Sequence, residues 1–123
     1  MSEKVMEMDE RINPAYITDN DTGIKYELDF SRDSVRFAEA HEFLLEDLFK
    51  YPQSKVKEFF YYAFRKNHRS TPREKTDKLL DKWGGMPQAL LSRLVQLYQQ
   101  AQMSNAIQTD EDAEKNASVT LEL

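Results

Sequence analysis

Apolar and polar residues alternate from Ile24 to Phe30, with Ile24, Tyr26, Leu28 and Phe30 on one face and Lys25, Glu27 and Asp29 on the other. A period of two over this stretch predicts a half-buried strand. Pro14 to Thr18 reads as a preceding strand. The intervening Asp19-Asn20-Asp21-Thr22-Gly23 predicts a hairpin turn, because Asn and Asp tolerate positive φ and Gly favours it. From Ser31 the period lengthens. Ser31 reads as an N-cap, and Val35 and Ala38, with Phe37 and Phe43 alongside, predict a helix to about Glu42. Phe43 to Tyr51 is mixed, with Leu44, Leu45, Leu48 and Phe49 as further core candidates. Pro52 then marks a boundary, since proline suits a first helical turn and not an interior.

The next helix is predicted from Gln53 to Asn67. Val56, Phe59, Phe60, Ala63 and Phe64 stand at i, i+3, i+4, i+7 and i+8, a complete core face that leaves Tyr61 and Tyr62 off it. Thr71-Pro72-Arg73-Glu74 reads as a capping box with proline at the first helical position. That helix carries Leu79, Leu80 and Trp83 and stops at Gly84-Gly85, which permits a left-handed cap. Pro87 opens a last helix with Leu90, Leu91, Leu94, Val95, Leu97 and Tyr98. At the end, Val119, Leu121 and Leu123 alternate with Ser118, Thr120 and Glu122, again a strand pattern.

These elements predict an α+β chain, mostly helical: an N-terminal β-hairpin, about four helices and a short C-terminal strand. Residues 1–13 read as a mobile acidic leader, 14–102 as a single α+β domain, 103–116 as an acidic linker and 117–123 as the C-terminal strand. A length of 123 residues suits one small core. No apolar run approaches the roughly 18 residues of a membrane span, and the N-terminus has no apolar signal region. Cysteine is absent, which excludes disulfides and thiolate metal sites and fits a cytosolic setting.

The net charge of −5 argues against a general nucleic-acid binder. The charge is uneven, however. Arg65, Lys66, Arg69, Arg73, Lys75, Lys78 and Lys82 face only Glu74, Asp77 and Asp81 in their segment, whereas acids dominate from Met103 onward. The basic Arg65–Lys82 hairpin reads either as a grip on nucleic acid or as a solvated helix face paired with its own acids; the second reading is favoured.

No catalytic, cofactor-binding or metal-ligating set emerges. His41 and His68 lack a partner at helical metal-site spacing and read as surface or half-buried histidines. Gly84-Gly85 follows a helix, so it is no phosphate loop. No Ser-His-Asp spacing is legible. What stands out is contact chemistry. Phe59-Phe60-Tyr61-Tyr62-Ala63-Phe64 packs five aromatics into six residues and runs into Arg65-Lys66-Asn67-His68-Arg69. Phe59, Phe60 and Phe64 read as core. Tyr61 and Tyr62 are candidate protein contacts, since tyrosine offers area at low entropy cost. Arg65, Lys66 and Arg69 join them, as do Val119, Leu121 and Leu123, whose strand adds either to the hairpin of its own chain or to a neighbour's sheet.

The order of these features resembles the small tail assembly chaperones of long-tailed, siphovirus-like phages and prophages of Gram-positive bacteria. The resemblance runs through Thr18-Asp19-Asn20-Asp21-Thr22-Gly23-Ile24-Lys25-Tyr26-Glu27-Leu28, Phe30 to Val35, Phe59 to His68, Lys75-Thr76-Asp77-Lys78, Gly84-Gly85, Leu90 to Tyr98 and Lys115 to Leu121. It covers nearly all of the chain after Asn13 and is one of layout rather than of a single diagnostic motif. It implies a self-associating protein of the host bacterial cytoplasm that binds and solubilises the tape measure protein and helps recruit tail tube subunits. It implies no enzyme activity and no cofactor.

Overall fold

A computed structural model describes residues 12–106, 110–115 and 118–123. Strands β1 (Ala15–Asp19) and β2 (Ile24–Leu28) form a two-stranded antiparallel sheet in which Tyr16 faces Glu27 and Ile17 faces Tyr26. The turn is closed by the Gly23 N–H, which donates to the Asp19 carbonyl at 2.7 Å, and Gly23 adopts a φ of +77°. Tyr26, Leu28 and Phe30 point into the core, as the alternation requires, whereas Ile24 at the turn end stays exposed.

Six helices follow among the described residues: α1 (Arg32–Ala40), α2 (Asp47–Lys50), α3 (Pro52–Tyr62), α4 (Arg73–Trp83), α5 (Gln88–Ala106) and α6 (Asp110–Lys115). Ser31 caps α1 as expected. Its hydroxyl accepts from the Ser34 N–H at 3.2 Å, and Ser34 Oγ returns the bond to the Ser31 N–H. Gly84 ends α4 with a φ of +86°, its N–H bonded to the Leu80 carbonyl. The mixed Phe43–Tyr51 stretch contains the single-turn helix α2, which buries Leu48.

Four expectations are corrected. The aromatic helix ends at Tyr62 rather than Asn67; Ala63 and Phe64 sit in tighter turns with i to i+3 bonds, yet both are buried. Helix α4 begins at Arg73, and the N-cap position is taken by Pro72, which makes no side-chain cap bond, so the Thr71 capping box does not form. The acidic linker is partly helical: α5 runs on to Ala106 and Asp110–Lys115 forms α6, consistent with an Ala- and Glu-containing run and with Glu111 and Lys115 one turn apart. Residues 118–123 form no strand in the single chain, because alternation makes a strand only where a partner edge supplies its hydrogen bonds. The expected leader falls largely outside the described residues. Ile12 and Asn13, however, are tied to α5 through Gln100 Oε1 and Arg93 Nη1, so the folded unit starts before Pro14.

The core is an aromatic layer. Phe59 of α3 stacks on Phe43 (5.6 Å between centroids, 8° between planes) and on Phe30 (5.1 Å, 19°), and Tyr98 of α5 meets all three rings edge-on. Leu28, Val35, Leu94 and Leu97 close the layer. Phe59 is fully buried and touches rings from three other segments. Phe59→Ala should therefore destabilise the protein by about 3–5 kcal/mol, read from urea unfolding midpoints. A change below about 1 kcal/mol, the range of ordinary surface substitutions and mild losses, would show that the layer does not hold the fold.

Candidate protein-contact surface

The aromatic-to-basic stretch is mostly internal. Tyr62, expected on the outer side of its helix, is buried between Phe37 and Phe43, and its hydroxyl donates to Glu58 Oε2 at 2.6 Å. Burial, and then the Glu58 bond and charge, raise its pKa well above the ordinary tyrosine value. The helical wheel missed it because α3 is covered on a second side: Tyr62 meets Phe37 of α1 and Phe43 of the α1–α2 connection, while Phe59 meets Phe30 and Tyr98. Tyr61 is half-buried beside Tyr62, with the Arg73 guanidinium 5.8 Å above its ring.

The basic residues are paired one by one. Arg65 Nε reaches Asp33 at 2.8 Å with its guanidinium 3.9 Å over the Phe37 ring, and Arg69 reaches the same Asp33 oxygen at 3.1 Å. The Arg65 bond holds Asp33 below the ordinary carboxylate value. Lys66 Nζ meets Asp29 at 2.7 Å. Further on, Arg73 pairs with Asp77 and Lys78 lies 3.9 Å from Glu74, the intrahelical pairing that the spacing implies. Lys75 and Lys82 instead turn to the hairpin. Lys82 Nζ bridges Asp19 and Asp21 at 2.7 Å each, and Lys75 stands 3.9 Å from Asp19. Each of the seven bases thus has an acidic neighbour, and a phosphate backbone would have to compete with a carboxylate at every one.

Asp19 and Asp29 are the buried members of this web. Asp19 Oδ1 takes Lys82 and the Asp21 N–H, and the Lys82 bond leads the lowering of the Asp19 pKa. Lys82 is correspondingly raised, chiefly by Asp19 and then Asp21. The histidines are both engaged. His68 Nε2 accepts the Glu27 N–H at 2.9 Å and its ring packs edge-on to Tyr26, while His41 Nδ1 lies 2.8 Å from the Phe37 carbonyl. Among the described residues no group of three or more His, Cys, Asp or Glu could hold a metal ion, and no helix is long and apolar enough to cross a membrane.

Exposed apolar surface lies elsewhere. Phe49 of α2 is 69 % exposed and Tyr51 60 %. Phe49 lines a cleft of about 260 Å³ with Leu91 and Val95 of α5. A neighbouring cleft of about 390 Å³ shares Leu91 and adds Pro52, Val56, Leu80 and Met86. Together they make a two-part groove, mainly apolar at Phe49, Leu91 and Val95 and mixed in the second part, where Gln53, Lys57 and Asp81 also stand in the wall. Phe49 is a core candidate by composition; in α2 it is Leu48 that turns inward, and the adjacent Phe49 ring faces out. Of the predicted contact residues, Val119, Leu121 and Leu123 are exposed.

A family model covers residues 1–123. The chain belongs to the family described as domain of unknown function (DUF5055). No curated protein and no solved structure matches it.

Within this DUF5055 fold the Lys82 bridge ties α4 to the hairpin turn, and its pH dependence follows from the two shifts. The Asp19 share is in place above the ordinary aspartate value of 3.8 and is lost as pH falls through the lowered folded value. The Lys82 share is in place below 10.5 and is lost as pH rises through the raised folded value. Lys82→Gln should therefore lower the urea midpoint at neutral pH, and the gap to the unsubstituted protein should close in strong acid. A gap that stays constant into acid would disprove the coupling. His68→Ala should cost about 1–2 kcal/mol by the same measurement, from the uncovered Glu27 N–H and the lost ring contact.

Proposed function

We propose that this protein is a tail assembly chaperone acting in the host bacterial cytoplasm, which binds and solubilises the tape measure protein and helps recruit tail tube subunits. The layout from Thr18 to Leu121 supports the reading, since it resembles that chaperone family over nearly the whole domain. The observation that carries it at the level of chemistry is the groove around Phe49. An extended, largely helical client offers apolar side chains at i, i+3, i+4 and i+7, and such a helix lays its apolar face into a groove lined by Phe49, Val56, Met86, Leu91 and Val95. Phe49 and Tyr51 are the aromatic anchors that such an interface favours. The paired surface charges around the groove keep the unfilled chaperone in solution.

Co-expression with the tape measure protein encoded alongside should give a co-purifying complex. Phe49→Ser combined with Val95→Ser should abolish co-purification. Phe49 is exposed, so Phe49→Ser by itself should leave stability within about 0.5 kcal/mol. Repeated failure to recover a complex with the unsubstituted protein would sink the proposal, and an undiminished complex with the double variant would move the contact off this groove.

A further inference from the structure

The two edges of the hairpin are finished differently. On β2, Glu27 gives its N–H to His68 Nε2 at 2.9 Å, and Asn67 Nδ2 donates to the Glu27 carbonyl at 3.3 Å. The turn after α3 therefore covers that edge. In an antiparallel pair, opposed residues exchange both backbone bonds or neither. Glu27 directs its N–H outward, so Tyr16 opposite it also turns its N–H and C=O away from β2, and two residues on so does Thr18. No strand lies along this outer edge of β1 among the described residues. The edge borders a cleft of about 460 Å³ whose far wall is Leu79, Lys82 and the exposed Trp83 of α4. Asp19 forms part of its wall, with Oδ2 buried and the Lys75 ammonium 3.9 Å from it.

The same chain carries a segment of matching chemistry. Val119, Leu121 and Leu123 alternate with polar residues, form no strand in the single chain, and stand exposed. We propose that residues Ser118–Leu123 of a second copy add to β1 as a third strand, and that the exchange is reciprocal, giving a two-fold dimer. The apolar side chains then face Ile17, Leu79 and Trp83 in the cleft, while Thr120 and Glu122 share the solvent face with Tyr16 and Thr18. Main-chain bonds to Tyr16 and Thr18 supply affinity, and the two-residue period fixes register, since a slip of one residue would put the apolar set in water. The third strand also relieves a two-stranded sheet that is marginal by itself. None of these residues belongs to the Phe49 groove, so this dimer stands or falls independently of client binding.

The absence of cysteine makes a cross-linking test clean. Full-length Thr18→Cys and Thr120→Cys chains, whose substituted positions share one face of the extended sheet, are mixed and oxidised. Tyr16→Cys serves as the alternative register partner. A disulfide between the two different chains is expected. Light scattering of the unsubstituted protein should show a monomer passing to a dimer as concentration rises. The Val119→Ser, Leu121→Ser double variant should remain monomeric with an unchanged melting temperature. The proposal is overturned by a monomer at every concentration, by a dimer that survives the double substitution, or by the absence of an interchain bond at both Thr18 and Tyr16.

Discussion

Everything in this fold hangs on the stacking of Phe59 between Phe30 and Phe43, with Tyr98 closing the edge. The four rings come from four segments: the end of the hairpin, the connection after α1, α3 and α5. A small domain buries only a modest share of its surface, and large flat rings supply area with few rotors to freeze. The layer therefore does two jobs. It replaces the wide sheet that the chain lacks, and it fixes the relative placement of hairpin and helices from which both clefts follow.

Around that layer lies a web of ion pairs that consumes the charge asymmetry of the sequence. Asp19, Asp29 and Asp33, all in or next to the hairpin, take Lys82, Lys66, Arg65 and Arg69 from the segment that follows α3. The exposed pairs on Asp33 contribute little stability each, and Lys82 and Lys66 neutralise the buried Asp19 and Asp29. Their effect is positional: they hold the Phe64–Arg69 turn and the end of α4 against the hairpin. The same turn brings His68 and Asn67 to the β2 edge. The segment that looked most like a ligand-binding patch is thus committed to covering one edge of the sheet, and the exposed apolar surface lies instead around Phe49 and beside the uncovered edge of β1.

Much of the chain announced itself. The hairpin, its Asp-Asn-Asp-Thr-Gly turn, the Ser31 cap, the Gly84 stop and the core set Phe59, Phe60 and Phe64 depend on short-range rules of period and backbone preference, and a single sequence carries those rules in full. The α+β, mostly helical class follows from them. The errors occurred where tertiary packing overrides the local rule. Tyr62 lies off the apolar stripe of an isolated helix, but α3 is covered on a second side and the Glu58 carboxylate satisfies the hydroxyl. Phe49 looks like core by composition and is exposed because Leu48, its neighbour in α2, is the side chain that turns inward.

The sequence by itself determined the hairpin, the starts of α1 and α3, the stop at Gly84, the buried Phe59, Phe60 and Phe64 and the lack of any cysteine chemistry, because these depend on residue type and spacing. Only the tertiary structure decided where each charge finds its partner and which strand edge is left open. Lys82 and Asp19 are far apart in the chain, as are His68 and Glu27, and no spacing rule relates them. The final alternation of Val119, Leu121 and Leu123 marks the limit between the two. Its period is a property of the sequence, but a strand exists only beside another backbone, and among the described residues of one chain none pairs with it.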